Sequence, residues 1–181
     1  MNEAKKTYKI RVGQRNIKTA LAATLCAALY LLVGRNPTFA CIGTVFGMGT
    51  DINDSIKHGG NRFFGTLIGG FLGMLLFRLY ICFVPNGEFR ALLLPFVFVG
   101  VVLLIVVSQM FRWVGAVQPG GVVLCIILFN TPVDTYISYS INRMIDTGIG
   151  VAIALLVNWL LPRERVSRWK ALVLAKLKKE N

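Results

Sequence analysis

Residues 91–111 read ALLLPFVFVGVVLLIVVSQMF, 21 positions without a charge between Arg90 and Arg112. A second uncharged stretch, WVGAVQPGGVVLCIILFNTPV, fills the 21 positions 113–133 before Asp134. About 20 apolar residues in a helix suffice to cross the hydrocarbon core of a bilayer. A helix in a water-soluble core keeps a polar face and is not apolar all round over such a length. The two runs therefore indicate an all-α polytopic membrane protein.

Composition agrees. The 181 residues are enough for one compact unit, and they are 55% apolar and only 15% charged. A soluble domain carries about 25% charge. Working outward from 91–133, the hydrophobic pattern predicts six transmembrane helices at 16–34, 37–50, 61–83, 90–111, 114–131 and 141–161. Residues 1–15 form a basic N-terminal segment, 16–162 the membrane domain, and 163–181 a basic tail. No small-residue cleavage site closes the first apolar run, so it reads as an uncleaved helix. The second segment is short. The fifth carries Pro119-Gly120-Gly121, where a break or kink is expected, and Pro37 stands at the head of the second.

The net charge of +12 would suggest nucleic acid in a soluble protein. Here the basic residues gather in the two tails, and no nucleic-acid motif interrupts the spans, so the membrane's charge rule applies. With the N-terminus inside, 16 of the 20 Lys and Arg face the cytoplasm, and Arg35, Arg78, Arg90 and Arg143 face out. That imbalance favours an even number of spans with both termini cytoplasmic, in an inner membrane. In the tail, Trp169, Leu172, Val173 and Leu177 share one helical face, as in a helix lying on an anionic leaflet.

The first half of the chain recurs in the second. Asn61-Arg62-Phe63-Phe64-Gly65-Thr66-Leu67-Ile68-Gly69-Gly70 and Asn142-Arg143-Met144-Ile145-Asp146-Thr147-Gly148-Ile149-Gly150-Val151 match at five of ten positions, offset by 81. Asn36-Pro37 and Gln118-Pro119 precede corresponding helices. Three helices repeated must be inverted. Transporters built on inverted repeats place their site at the repeat interface, near paired irregular helices.

The candidate site follows from charge at membrane depth, which is costly and so informative. Arg62 and Arg143, preceded by Asn61 and Asn142, begin the third and sixth helices; each either snorkels to a headgroup or presents a guanidinium to an anion in a cavity between the repeats. Asp146 lies one turn after Arg143, spaced to form a salt bridge or to act as a protonatable coupling group. Gly65, Gly69 and Gly73 form successive GxxxG steps for close helix packing, and they suit a homo-oligomer contact. Cys26, Cys41, Cys82 and Cys125 lie apart in apolar stretches, and His58 is the sole histidine, so no metal site or cofactor is expected. No GxSxG, HExxH, Walker motif or paired carboxylates point to an enzyme.

Three stretches resemble the aromatic acid exporter family of bacterial membrane proteins, within the larger fusaric acid resistance group. They are Gly13-Gln14-Arg15-Asn16-Ile17-Lys18-Thr19-Ala20; Ser55-Ile56-Lys57-His58-Gly59 with Asn61-Arg62 through Gly69; and Arg143-Met144-Ile145-Asp146-Thr147 with Gly150, Val157-Asn158 and Pro162. The resemblance implies a six-helix membrane domain that exports aromatic or other small organic acids. It also implies a short form, because many members continue into a cytosolic helical domain and this sequence stops soon after Pro162. Larger relatives carry two six-helix units, so a homo-oligomer is expected. A passive anion channel and a non-transporting scaffold or accessory subunit are the rival readings.

Overall fold

The computed structural model describes residues 13–85 and 90–162. The basic segment before Gly13, positions 86–89 and the amphipathic tail lie outside the described residues. Among the described residues six α-helices follow in order: α1 Gln14–Leu32, α2 Thr38–Gly47, α3 Ile52–Phe83, α4 Leu93–Met110, α5 Val117–Asn130 and α6 Tyr136–Leu160. Single 3-10 turns lead into α4 and α5. No strand occurs among the described residues. Helices α3, α4 and α6 are long and apolar enough to cross a membrane, whereas α2 and α5 are short and apolar.

Two helix starts differ from the sequence expectation by five residues or more. Helix α3 begins at Ile52 rather than 61. The Asp51 carboxylate accepts the Asp54 amide at 2.9 Å, so the polar segment expected to be a loop is capped and starts as helix. Helix α6 begins at Tyr136 rather than 141, where the Ser140 hydroxyl donates back to the Tyr136 carbonyl at 2.6 Å.

The expected break at Pro119-Gly120-Gly121 is absent, and α5 is continuous from Val117. Proline is tolerated because Pro119 falls in the first turn, where no intrahelical amide bond is due. Pro37 likewise sits at the N-cap of α2 and starts that helix.

The packing differs from that of a soluble protein. Gly65, Thr66, Gly69, Gly70 and Gly73 are buried on α3, followed by Leu76, Phe77 and Tyr80, while Phe71, Leu75 and Leu79 are exposed. In lipid, large apolar side chains have no reason to hide, and small residues are buried because they let backbones meet. Helix α2 lies along α6, α5 lies along α3, and α3 packs on α6; α1 flanks α2 and α6, and α4 flanks α3 and α5. The crossings are at glycines. A Cβ on Gly69 would strike the backbone of Gly120, and one on Gly150 would strike the Ala40 carbonyl. Gly65 faces the Ala116 carbonyl and Pro119, and Gly73 faces Ile127. The Gly65–Gly69–Gly73 ladder is thus occupied by α5 of the same chain and offers no free face to a second copy.

Candidate functional site

Arg143 is carried by the second turn of α6 and is 4% exposed. Its guanidinium carbon lies 3.3 Å from the ring centre of Phe39 on α2 and 5.3 Å from that of Tyr139. The two rings meet edge to face at 6.2 Å. Cation–π contact of this kind favours the charge but satisfies no N–H. The Arg143 Nε is buried without a hydrogen-bond partner, and among the described residues no hydrogen bond or ion pair engages its guanidinium. A buried polar group left unpaired is costly, and here it borders a pocket of about 300 Å³ walled by Arg35, Phe39, Tyr139, Asn142, Arg143 and Asp146. A planar fork of donors beside aromatic rings suits a carboxylate attached to a ring.

Asp146 does not pair with Arg143, contrary to what the i, i+3 spacing allows. Its Oδ1 accepts from Arg35 Nη2 and from the Tyr30 hydroxyl, both at 2.9 Å. Arg35 also donates to Asn142 Oδ1 at 3.1 Å. The reason lies in the turn between α1 and α2. Gly34 adopts φ +70°, and the Arg35 amide bonds the Tyr30 carbonyl at 2.9 Å. This left-handed helix ending is open to glycine at little cost, and it brings Arg35 back over α6. Sequence reasoning counted Arg35 as a loop charge and overlooked Tyr30; the Gly34-Arg35 pair after an apolar helix was the available signal.

Arg62 lines a different pocket, of about 440 Å³, with Phe46, His58, Asn61, Gln118 and Pro119 among its walls. Its guanidinium stands over the Phe46 ring at 5.4 Å. Its Nε too is buried and unpartnered, and among the described residues nothing hydrogen-bonds its guanidinium. The two arginines expected in one cavity therefore occupy two pockets, with Asn61 in one and Asn142 in the other. His58 closes an ion-pair geometry with Asp54 at 3.1 Å at the edge of the Arg62 pocket. Gly120 and Gly121, expected to line an unwound site, are helical; Gly120 serves the crossing with α3. Among the described residues no group of His, Cys, Asp and Glu is placed to hold a metal.

A second buried polar cluster went unnoticed in the sequence. The Lys18 ammonium, 4% exposed, donates to Asn158 Oδ1 at 3.0 Å. Asn158 Nδ2 donates to Ser55 Oγ at 2.7 Å, and Ser55 Oγ accepts the Gly49 amide at 2.8 Å. Arg15 donates twice to the Met48 carbonyl at the end of α2, at 3.2 and 2.9 Å. A cation at a helix C-terminus is stabilised by its exposed carbonyls, as Arg15 is at the end of α2. The cluster joins α1, α2, α3 and α6, and it draws residues from all three stretches that carried the family resemblance. Asn158 inside an apolar run was its signal. Asn158→Ala should lower stability by about 3 kcal/mol, since the bonds to Lys18, Ser55 and the Gly49 carbonyl are lost, one of them to a charged group. Chemical unfolding in detergent measures this, and a loss below about 1 kcal/mol would contradict the assignment.

Comparison with known proteins bears on these sites. A sequence model of the family described as "Aromatic acid exporter family member 1" matches residues 10–161. A UPF0421 protein of Staphylococcus haemolyticus (strain JCSC1435) is 26% identical over 156 residues, which is 86% of this chain and 44% of that protein. The chain thus spans less than half the length of that relative. No solved structure matches.

Proposed function

Because the chain belongs to the aromatic acid exporter family, we propose that it is a transporter that moves small organic anions, aromatic carboxylates foremost, out of the cell across the bacterial inner membrane. The observation that carries this reading is the Arg143 guanidinium, buried, unpaired and stacked on Phe39 beside a pocket of about 300 Å³. Such a cation needs an anion from outside the protein, and the adjoining rings favour one that is itself aromatic. Asn142 and Asp146 hold Arg35 in the pocket wall, so Asp146 acts as a latch between α6 and the α1–α2 turn.

The proposal includes six spans arranged as inverted repeats. It is supported by the exchange of partners, α2 on α6 and α5 on α3, and by crossings at Gly69 and Gly150, which are 81 residues apart. It also includes cytoplasmic termini. In a cysteine-less background, Asn53→Cys should be shielded from an impermeant thiol reagent in intact cells and Asp134→Cys labelled. The reverse pattern would overturn the orientation. Assembly as a homo-oligomer would use a surface other than the glycine ladder, and native mass spectrometry from lipid nanodiscs tests it; a monomer alone would exclude it.

A passive anion channel has one observation in its favour: Asp146, the expected coupling carboxylate, is already engaged by Arg35 and Tyr30. Benzoate efflux from proteoliposomes separates the readings. Flux that stops when the proton gradient is collapsed supports coupled export, and flux that persists supports the channel. No flux of any aromatic acid leaves a scaffold.

A further inference from the structure

Two pockets, rather than one, approach the same helix. Phe39 and Phe46 are seven residues apart on α2, two turns and roughly 10 Å along one face. Each ring carries a guanidinium on it, Arg143 on Phe39 and Arg62 on Phe46. Each guanidinium has a buried, unpartnered Nε, and each borders its own pocket. Between the two levels the way is shut. A Cβ on Gly43 of α2 would lie 2.9 Å from the Thr147 carbonyl of α6, so the two backbones are in contact there. The Phe63 ring lies against Gly148, where an added Cβ would be 3.0 Å away.

We infer that the Arg62 pocket is a second, separate station for an aromatic carboxylate, reached from Arg143 only when α2 separates from α6 at Gly43. The inference rests on the transport reading above and adds a second site to it. The chemistry is the same at both levels: a forked cation flanked by a ring, with a side-chain amide beside it, Asn142 at one and Asn61 or Gln118 at the other. The neighbours differ. At the Arg143 station the anion must share the space with Asp146, already held by Arg35. At the Arg62 station no carboxylate lines the pocket among the described residues, and His58 stands at its edge. The larger volume, about 440 against 300 Å³, and a lining without a carboxylate make the Arg62 station the more accommodating of the two. One substrate can thus be released from one arginine into the field of the next, with the Gly43–Thr147 contact as the barrier between them.

The test is fluorine NMR of 4-fluorobenzoate added to the full chain in nanodiscs. Wild type should give two bound resonances. Arg143→Gln should remove one, and Arg62→Gln the other, each with about a tenfold or greater loss of affinity at its own station, as expected for loss of a charge-assisted bond. Should Arg62→Gln fail to fold, Phe46→Leu removes the ring and keeps the charge, and it should shift the same resonance and spare the other. One resonance lost in Arg143→Gln but unaffected by Arg62→Gln or Phe46→Leu would overturn the second station and leave the transport reading standing. One resonance lost with either arginine would mean a single shared site and would also overturn it. No bound resonance at all would remove the transport reading together with this inference.

Discussion

Arg143→Gln should reduce aromatic-acid flux to less than about one hundredth of wild type, roughly 2.7 kcal/mol of lost interaction, while leaving the protein at least as stable. The two halves of this expectation come from one observation. The guanidinium makes no hydrogen bond or ion pair among the described residues, so truncating it to a neutral amide orphans no partner. Removing an unpaired buried charge relieves a desolvation cost and so tends to stabilise. On the proposed reading, a bound carboxylate loses the forked donor that Arg143 offers at that level. Asp146→Asn should behave in the opposite way. It weakens the bonds from Arg35 and Tyr30, and should lower stability by about 2 kcal/mol because both donors meet a charged acceptor. Flux and thermal unfolding measured side by side on both variants and on the double variant decide the matter. Normal flux in Arg143→Gln would eliminate this site. Recovery of stability in the double variant would mean that Arg143 and Asp146 act as a structural pair after all.

Gly69→Ala and Gly150→Ala should each cost about 3 kcal/mol or more, the upper end of overpacking effects, although each adds a single carbon. At both positions the new atom meets backbone of the neighbouring helix, the Gly120 peptide in one case and the Ala40 carbonyl in the other, and backbone cannot rotate away. Gly121→Ala is the control. It neighbours Gly120 on α5, yet a Cβ there would meet only Leu104 at 3.9 Å. With no clash, the better helix propensity of alanine should leave this variant neutral or stabilised by up to about 1 kcal/mol. Unfolding in a detergent series compares the three. If Gly69→Ala and Gly150→Ala are no worse than Gly121→Ala, the crossings are looser than the geometry requires.

The relation between the two glycines also explains what could be read in advance. The repeat of Asn-Arg-x-x-x-Thr-x-Ile-Gly is visible in the chain because both copies perform the same local task. Each places a polar pair inside a helix and then supplies a small residue one helix must have to let another cross it. What could not be read is which helix does the crossing. The sequence reading took Gly65, Gly69 and Gly73 as a helix-packing face that also suited a second copy of the chain, and the partner is α5. A glycine records that something comes close and carries no information on what does. The same limit misdirected Pro119-Gly120-Gly121. Proline and glycine together permit a break, but in the first turn of a helix proline is harmless and glycine can serve a crossing instead.

Taken alone, the sequence determined the membrane class, the helical architecture, the family and the two arginines of the candidate site. These follow from properties each segment has by itself: an uncharged run long enough to span, a charge that cannot be placed cheaply in lipid, a motif on one turn. The tertiary structure alone decided how those residues are paired. It gave Asp146 to Arg35 and Tyr30 rather than to Arg143, put Arg62 and Arg143 in separate pockets on Phe46 and Phe39, and gathered Lys18, Ser55 and Asn158 into one buried cluster. The physical reason is that an ionic or hydrogen-bonded partner is chosen by distance in space. That distance depends on how a turn such as Gly34-Arg35 redirects the chain and on which helices lie side by side, and neither is written in the spacing of residues along one helix.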